Sequence, residues 1–327
     1  MMKSIGKKIV INLADYDYRA SSTTTTTKSS TESELEPQSE LITKESSGSI
    51  QTNASSKTKT SSTEKKPKEP NAPKEPKEPK APKPQKPPLQ LIYNERNKFE
   101  IGIDEAGRGP LFGRLYVAGV ILPKDGSIDP SNIRDSKKLS AKKRTEMAEY
   151  IKEHALTYHV YYAEPNVIDK INIRQAVLQG MRHCILENRK NILAYMATKS
   201  PMKSENPSEL IDYDHEFFAL IDGDDFVPCM HYDDSTEEYT EIPHTKVIGG
   251  DNQYLAIAAA SILAKVAHDE HIQELCTKHP QLVERYGMNT HMGYGTKKHL
   301  QGITEHGITQ YHRRSYGCCK HAQLNLV

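Results

Sequence analysis

Excess charge of either sign is missing from this chain: 44 Lys and Arg stand against 43 Asp and Glu, a formal net charge of +1 over 327 residues. The whole molecule is therefore no polycation, and any hold on a polyanion has to come from local patches. One patch lies in residues 57–86, with ten Lys and four Glu, and another is Tyr311-His312-Arg313-Arg314. Metal-type cysteine spacing is missing too. None of Cys184, Cys229, Cys276, Cys318 and Cys319 forms a Cys-x-x-Cys pair, which argues against a zinc cage. The odd count, and a first segment that lacks a long apolar core and carries Asp15 and Asp17, lead us to expect reduced thiols in a cytoplasmic or other intracellular protein that is not secreted. Long apolar runs are absent: the longest uncharged apolar-rich stretch, residues 252–264, is too short for a bilayer, so no membrane association is expected.

What is present divides at about residue 90. Residues 20–62 are dominated by Ser and Thr, and residues 65–88 repeat Lys-Glu-Pro or Lys-x-Pro. Such segments cannot bury enough apolar surface to offset the entropy of ordering, so residues 1–90 are expected to be a disordered, low-complexity tail. Residues 91–327 have the composition of one α/β unit. Strands are expected at 99–104, 115–122, 157–163, 217–222 and 245–248, with helices at 141–154 and 173–188. The first three strands suggest an antiparallel start, and the helix at 173–188 a crossover to the fourth. Residues 198–209 and 231–241 are polar and are expected to be surface loops.

The most informative string is Ile101-Gly102-Ile103-Asp104-Glu105-Ala106-Gly107-Arg108-Gly109-Pro110. A strand here delivers two carboxylates into a turn of glycines around an arginine. Two-ion hydrolysis of a phosphodiester calls for three or four carboxylates around a site about 4 Å across, so further acids are needed at strand ends or helix starts. Asp222 stands at one such end, in Leu220-Ile221-Asp222-Gly223, although alone it reads first as a common Asp-Gly turn; Asp224 is a lesser candidate. Asp251 precedes a long helix and alone reads as its N-cap. The small residues Ala258-Ala259-Ala260-Ser261 would let that helix lie close to a sheet and bring Asp251 near the first and fourth strands. Asp104 and Glu105, being adjacent, are expected to share a site only if the strand bends or ends between them.

Together these stretches resemble the type 2 ribonucleases H (ribonuclease HII), over about residues 99–316. The resemblance implies an α/β fold: a ribonuclease H-like mixed five-stranded sheet flanked by helices, with a helical C-terminal extension. It implies Asp104, Glu105, Asp222 and Asp251 as catalytic residues and ligands of Mg²⁺ or Mn²⁺, two ions in the reacting complex. Gly107-Arg108-Gly109 matches the family's ribose-checking loop. Tyr294, in His291-Met292-Gly293-Tyr294-Gly295-Thr296, matches a tyrosine that packs on the sugar of the next, deoxy, nucleotide. Lys137 and Lys138, in Asp135-Ser136-Lys137-Lys138-Leu139-Ser140, and Arg313, Arg314 and Ser315 are assigned to phosphate contact. Two positions depart from the family: Gly249 stands where relatives usually have lysine, and His268 where many have arginine.

The activity implied is cleavage of the RNA strand of RNA/DNA hybrids, and at single ribonucleotides in duplex DNA, by a monomer that leaves 3′-hydroxyl and 5′-phosphate ends. Three rivals were weighed. The sister enzyme ribonuclease HIII carries Gly-Thr-Gly in its loop and a folded domain in front; Arg108 and the low-complexity front speak against it. An inactive duplex-binding protein of the same fold would not need all four acids. A structural metal protein would have no duplex affinity.

Overall fold

The computed structural model describes residues 87–133, 140–199, 217–233 and 237–327. The tail up to residue 86, Lys137 and Lys138, and residues 200–209 of the first expected insertion lie outside the described residues.

Strand β1 (Phe99–Ala106) is central. It pairs antiparallel with β2 (Leu115–Ile121), which pairs antiparallel with β3 (Thr157–Ala163). On its other side β1 pairs parallel with β4 (Phe217–Asp222), and β4 pairs parallel with β7 (His244–Val247). The order is β3-β2-β1-β4-β7, a mixed five-stranded sheet. Helix α1 (Ala141–His154) joins β2 to β3, its N-cap Ser140 accepting the Lys143 N–H at 3.4 Å. The short α2 (Pro165–Ile171) and the long α3 (Ile173–Lys199) carry the chain from the β3 edge across to β4. Helix α3 runs eleven residues past the expected end at Asn188. Asn188 does not break it, because its amide is satisfied inside the core by Thr157 and by the Cys184 carbonyl at 2.8 Å, and Ile192 beyond it is buried.

Period-two alternation distributes the strand side chains to two faces. Ile101, Ile103, Leu115, Val117 and Ile121 pack with Val177, Met181, Cys184 and Ile185 of α3. Tyr116, Ala118 and Val120 face the other way, toward α4 (Leu255–Lys278) and Ala148 and Ile151 of α1. The far half of α4 leaves the sheet. Its Ile272 and Leu275 form a third core with α5 (Gln281–Tyr286), α6 (Met288–His291), α7 (Lys297–His306) and Phe112. This is the expected helical C-terminal extension. Among the described residues no helix is long and apolar enough to cross a membrane.

Two expectations change. Helix α4 starts at Leu255 behind Tyr254, while Asp251 lies in a separate 3-10 turn, Gly250–Asn252, so Asp251 is not its cap. Residues 231–241 do not make a plain loop. They belong to a hairpin of β5 (Met230–Asp233) and β6 (Glu238–Glu241), in which Tyr232 and Tyr239 are exposed with ring centroids 5.2 Å apart. Tyr232 stands directly opposite Tyr239, a cross-strand aromatic pair beneath a polar composition.

Helix α4 crosses β1 at Gly102, where an added Cβ would stand 2.1 Å from the Ala256 carbonyl carbon and 2.4 Å from the Ile257 nitrogen. Backbone cannot retreat as a side chain can. Gly102→Ala is expected to cost about 1–3 kcal/mol and to lower the midpoint of thermal unfolding, measured by circular dichroism; an unchanged midpoint would mean that helix and strand are not in contact there.

Candidate active site

The parallel register brings the acids together. β1 and β4 run side by side from Phe99↔Phe217 to Ile103↔Ile221, so the next residues on each strand, Asp104 and Asp222, emerge at the same end. Asp222 is also paired with Val247 of β7, and the chain leaving β7 enters the Gly250–Asn252 turn. The Asp222 Oδ1 accepts the Gly250 N–H at 2.7 Å, which ties the end of β4 to the turn carrying Asp251. A Cβ at Gly250 would meet the Ile257 Cδ1 at 2.5 Å, so the turn packs closely on the first turn of α4. Asp104 and Asp251 are buried, 6% and 5% exposed. The Asn252 Nδ2 donates to Asp251 at 2.6 Å.

The strand neither bends nor ends between Asp104 and Glu105, contrary to expectation: pairing with β2 continues through Ala106. Asp104 shares the α4 face with Gly102 and takes a hydrogen bond from Ser261 of that helix. Glu105 leaves on the other face, where the Arg108 Nη1 stands 3.3 Å from its Oε1. Both carboxylates still feel the charge of Asp222, which lies at the edge left where β4 stops. Burial pushes Asp104 well above the usual carboxylate range, and the charges of Asp222 and Glu105 push it further. Burial also raises Glu105, with Arg108 pulling the other way and Asp222 adding to the rise. Among the described residues no three His, Cys, Asp or Glu side chains are grouped to hold a metal ion by themselves.

The glycine loop beside these acids is built from behind. Gly107 has φ +84°, and a Cβ there would stand 2.6 Å from the His268 ring and 2.8 Å from the Arg114 carbonyl. His268 is buried, its Nδ1 3.0 Å from Asp269, and burial lowers its pKa, so a neutral ring occupies the position. Gly109 faces the ring of Tyr294, whose Cε1 would lie 3.5 Å from a Cβ at that position. The Leu111 N–H donates to the Gly293 carbonyl at 2.9 Å, docking the two turns together. Tyr294 keeps 46% of its surface exposed. Thus Gly107, Arg108, Gly109 and Tyr294 form one patch.

Arg313 is a correction. It is fully buried and cannot reach a phosphate. Its Nη2 donates to the Gly107 carbonyl at 2.6 Å, its Nη1 to the Arg108 carbonyl at 3.1 Å, and its Nε to the Gly113 carbonyl at 3.0 Å. It braces the glycine loop from inside, helped by the Tyr316 hydroxyl, which donates to the Arg108 carbonyl at 3.0 Å. Ser315, though exposed, is held by an acid: its backbone N–H and hydroxyl both donate to Asp169 of α2. Arg314 remains exposed, its backbone N–H held by Asp169 at 2.9 Å. Asp224 is exposed, and its neighbour Asp225 is held by Arg174 through two bonds of 2.7 and 2.8 Å. Sequence reasoning had no signal for Asp169 or for the burial of Arg313. It did note the run ending in Ser261, but for its size rather than its hydroxyl.

A mixed sheet with acids gathered at adjoining strand ends and helices on both faces defines a nuclease of the ribonuclease H class. The comparisons specify it further. A family model described as Ribonuclease HII matches residues 101–319. The ribonuclease HII of Oceanobacillus iheyensis is 41% identical over 225 residues, 68% of this chain and 70% of that protein. That of Bacteroides thetaiotaomicron is 39% identical over 236 residues, 72% of this chain and 98% of that protein. The solved ribonuclease H2 of Pyrococcus horikoshii aligns with a TM-score of 0.47 at 18% identity, over 68% of this chain and 95% of that one. This chain belongs to the ribonuclease HII family.

Two outcomes follow from the charges. The folded protein keeps a proton on Asp104 at pH values where the unfolded chain, with the ordinary value of 3.8, has lost it. Folding stability without divalent ions should therefore be full below that value and fall as pH rises through the elevated one. Asp104→Asn should unfold several degrees higher than the unaltered protein at pH 8 in chelator, with the gap closing toward pH 4; calorimetry across that range checks it. Separately, Arg313→Leu strands the buried Gly107 and Gly113 carbonyls, while the Arg108 carbonyl keeps the Tyr316 hydroxyl, and should cost about 3 kcal/mol or more in a urea titration. Arg314→Ala should leave stability unchanged in that titration.

Proposed function

We propose that this ribonuclease H cuts the RNA strand of RNA/DNA hybrids and cuts at single ribonucleotides set in duplex DNA, leaving 3′-hydroxyl and 5′-phosphate ends. The observation that carries the reading is the bond from Gly250 to Asp222, because it joins the end of β4, beside Asp104, to the turn that bears Asp251. Asp104, Glu105, Asp222 and Asp251 offer only oxygen, and the charge of Asp222 acts on both Asp104 and Glu105 while Arg108 pulls Glu105 the other way. Such a donor set fits a hard divalent ion, Mg²⁺ or Mn²⁺, whose shell is completed by water and substrate phosphate rather than by a closed protein cage. Two such ions, held by these four acids, would supply an activated water and a counter-charge for the leaving oxygen.

The rest is the work of this chain's own side chains. Gly107 and Gly109 let backbone approach a ribose closely enough to test its 2′-hydroxyl. Arg313 holds the Gly107 and Arg108 carbonyls from the inner side, so the loop keeps its shape without substrate. Arg108, half exposed, can hold a phosphate as well as Glu105. Tyr294 offers an open ring beside Gly109 to the sugar of the following deoxynucleotide. Arg314, Lys137 and Lys138 contact backbone phosphate, which positions the duplex without reading sequence. Residues 91–327 form the catalytic unit and residues 1–90 a tether, and the protein works as an intracellular monomer.

Incubation with a duplex carrying one embedded ribonucleotide tests this. In Mg²⁺ a single cut is expected on the 5′ side of that nucleotide, and none in chelator. Asp104→Asn and Asp251→Asn should each lower the rate by about 10³-fold or more, several kcal/mol of barrier. No cleavage with any divalent ion would overturn the proposal.

A further inference from the structure

Behind the open ring of Tyr294 lie two buried histidines that the reading above does not use. His299, in the first turn of α7, is fully buried, and His312 is 1% exposed. Their Nε2 atoms are 3.2 Å apart. We propose that His299 and His312 form a positioning pair that fixes the Tyr294 carbonyl and thereby sets the stand of its ring against Gly109. The proposal deepens the reading of Tyr294 as the sugar-packing residue and rests on it.

The hydrogen-bond pattern allows one arrangement of protons. The Thr309 backbone N–H, 2.9 Å away, can only donate, so the His312 Nδ1 accepts and carries no proton. The proton of a neutral His312 then sits on Nε2 and points at the His299 Nε2, which has to accept it. The His299 proton is left on Nδ1, where it donates to the Tyr294 carbonyl at 2.9 Å. Each ring selects the tautomer of the next, and the chain ends on Tyr294. Burial favours the neutral rings: it holds His299 down to about 4 and His312 down to about 3. A second proton on either ring would set two N–H groups head to head.

The surroundings restrict the pair to this task. His291 stacks on His299 at 5.1 Å between centroids. Tyr286 meets His312 at 5.2 Å, and the edge of Phe112 meets it at 5.0 Å. Phe112 belongs to the segment that follows the glycine loop, and a Cβ on Gly293 would strike its carbonyl at 2.7 Å. The histidines are thus wedged between the loop that carries Gly109 and the turn that carries Tyr294. The Tyr294 carbonyl also accepts the Thr296 N–H at 2.8 Å, closing a tight turn, and His299 supplies its other bond. A purely apolar filler could occupy the space but could not hold that carbonyl.

Two measurements on the full chain test the pair. Side-chain nitrogen NMR of the unaltered protein at neutral pH should show His299 protonated on Nδ1 and His312 on Nε2; the reverse for either ring overturns the proposal without any variant. The second readout is the ratio of cleavage at a single embedded ribonucleotide to cleavage within a continuous RNA/DNA hybrid, in which general loss of folding cancels. His299→Leu should lower that ratio about tenfold or more, as a displaced contact does. His299→Asn, whose amide can still donate near the Nδ1 position, should restore most of it. If Tyr294→Ala shifts the ratio while His299→Leu does not, the positioning role is wrong and the sugar contact stands. If Tyr294→Ala leaves the ratio unchanged, the sugar contact itself is wrong and this proposal falls with it.

Discussion

Helix α4 meets β1 backbone to backbone, and most of the site follows from that contact. At Gly102 there is no room for a methyl group between the strand and the peptide joining Ala256 to Ile257. A helix is stiff, so one close crossing sets everything along its length. Five residues on, Ser261 lies where its hydroxyl reaches Asp104. Just before the helix, the Gly250–Asn252 turn is held at the end of β4. The far half is left free of the sheet to form the core that carries Tyr294 and its histidines. The run of small residues from Ala258 to Ser261 keeps the helix close enough for these distances to hold.

The electrostatics of the site set it apart from the rest of the protein. Elsewhere charges are matched: Asp269 receives Arg144 and Lys265, Glu164 receives Arg114, and Asp225 receives Arg174. At the ends of β1 and β4 the buried Asp104 faces the half-buried Glu105 and Asp222, and it is raised by burial and by their charges. Repulsion among acids at a buried carboxylate costs folding stability.

Basic residues serve two ends within a few positions. Arg313 and Arg314 are neighbours, yet one is sealed inside and the other exposed. Arg313 spends its charge on main-chain carbonyls and shapes the loop. Arg314 is left to solvent. The loop thus owes its form to a residue two hundred positions away along the chain. Its Gly107 packs against the buried ring of His268, whose pKa burial lowers.

Much of this was legible in the residues alone. Alternation of apolar side chains located the five strands of the main sheet within a few residues. The string from Ile101 to Pro110, Asp222 after an apolar strand, and Asp251 before a run of alanines pointed to the acids, since chemical type and local period survive in one dimension. Other features were not legible. Asp104 and Glu105 part to opposite faces of an unbroken strand, and the charge of Asp222 reaches both. Strands β5 and β6 pair, with Tyr232 opposite Tyr239, beneath a polar average. Arg313 looked like a phosphate ligand because composition records a charge but not its direction. Sequence by itself determined which side chains could do chemistry and which segments would be strand or helix, because those depend on neighbours a few residues apart. Tertiary structure alone decided which acids meet, which arginine turns inward and which histidines touch, because those depend on groups far apart in the chain being held within hydrogen-bonding reach.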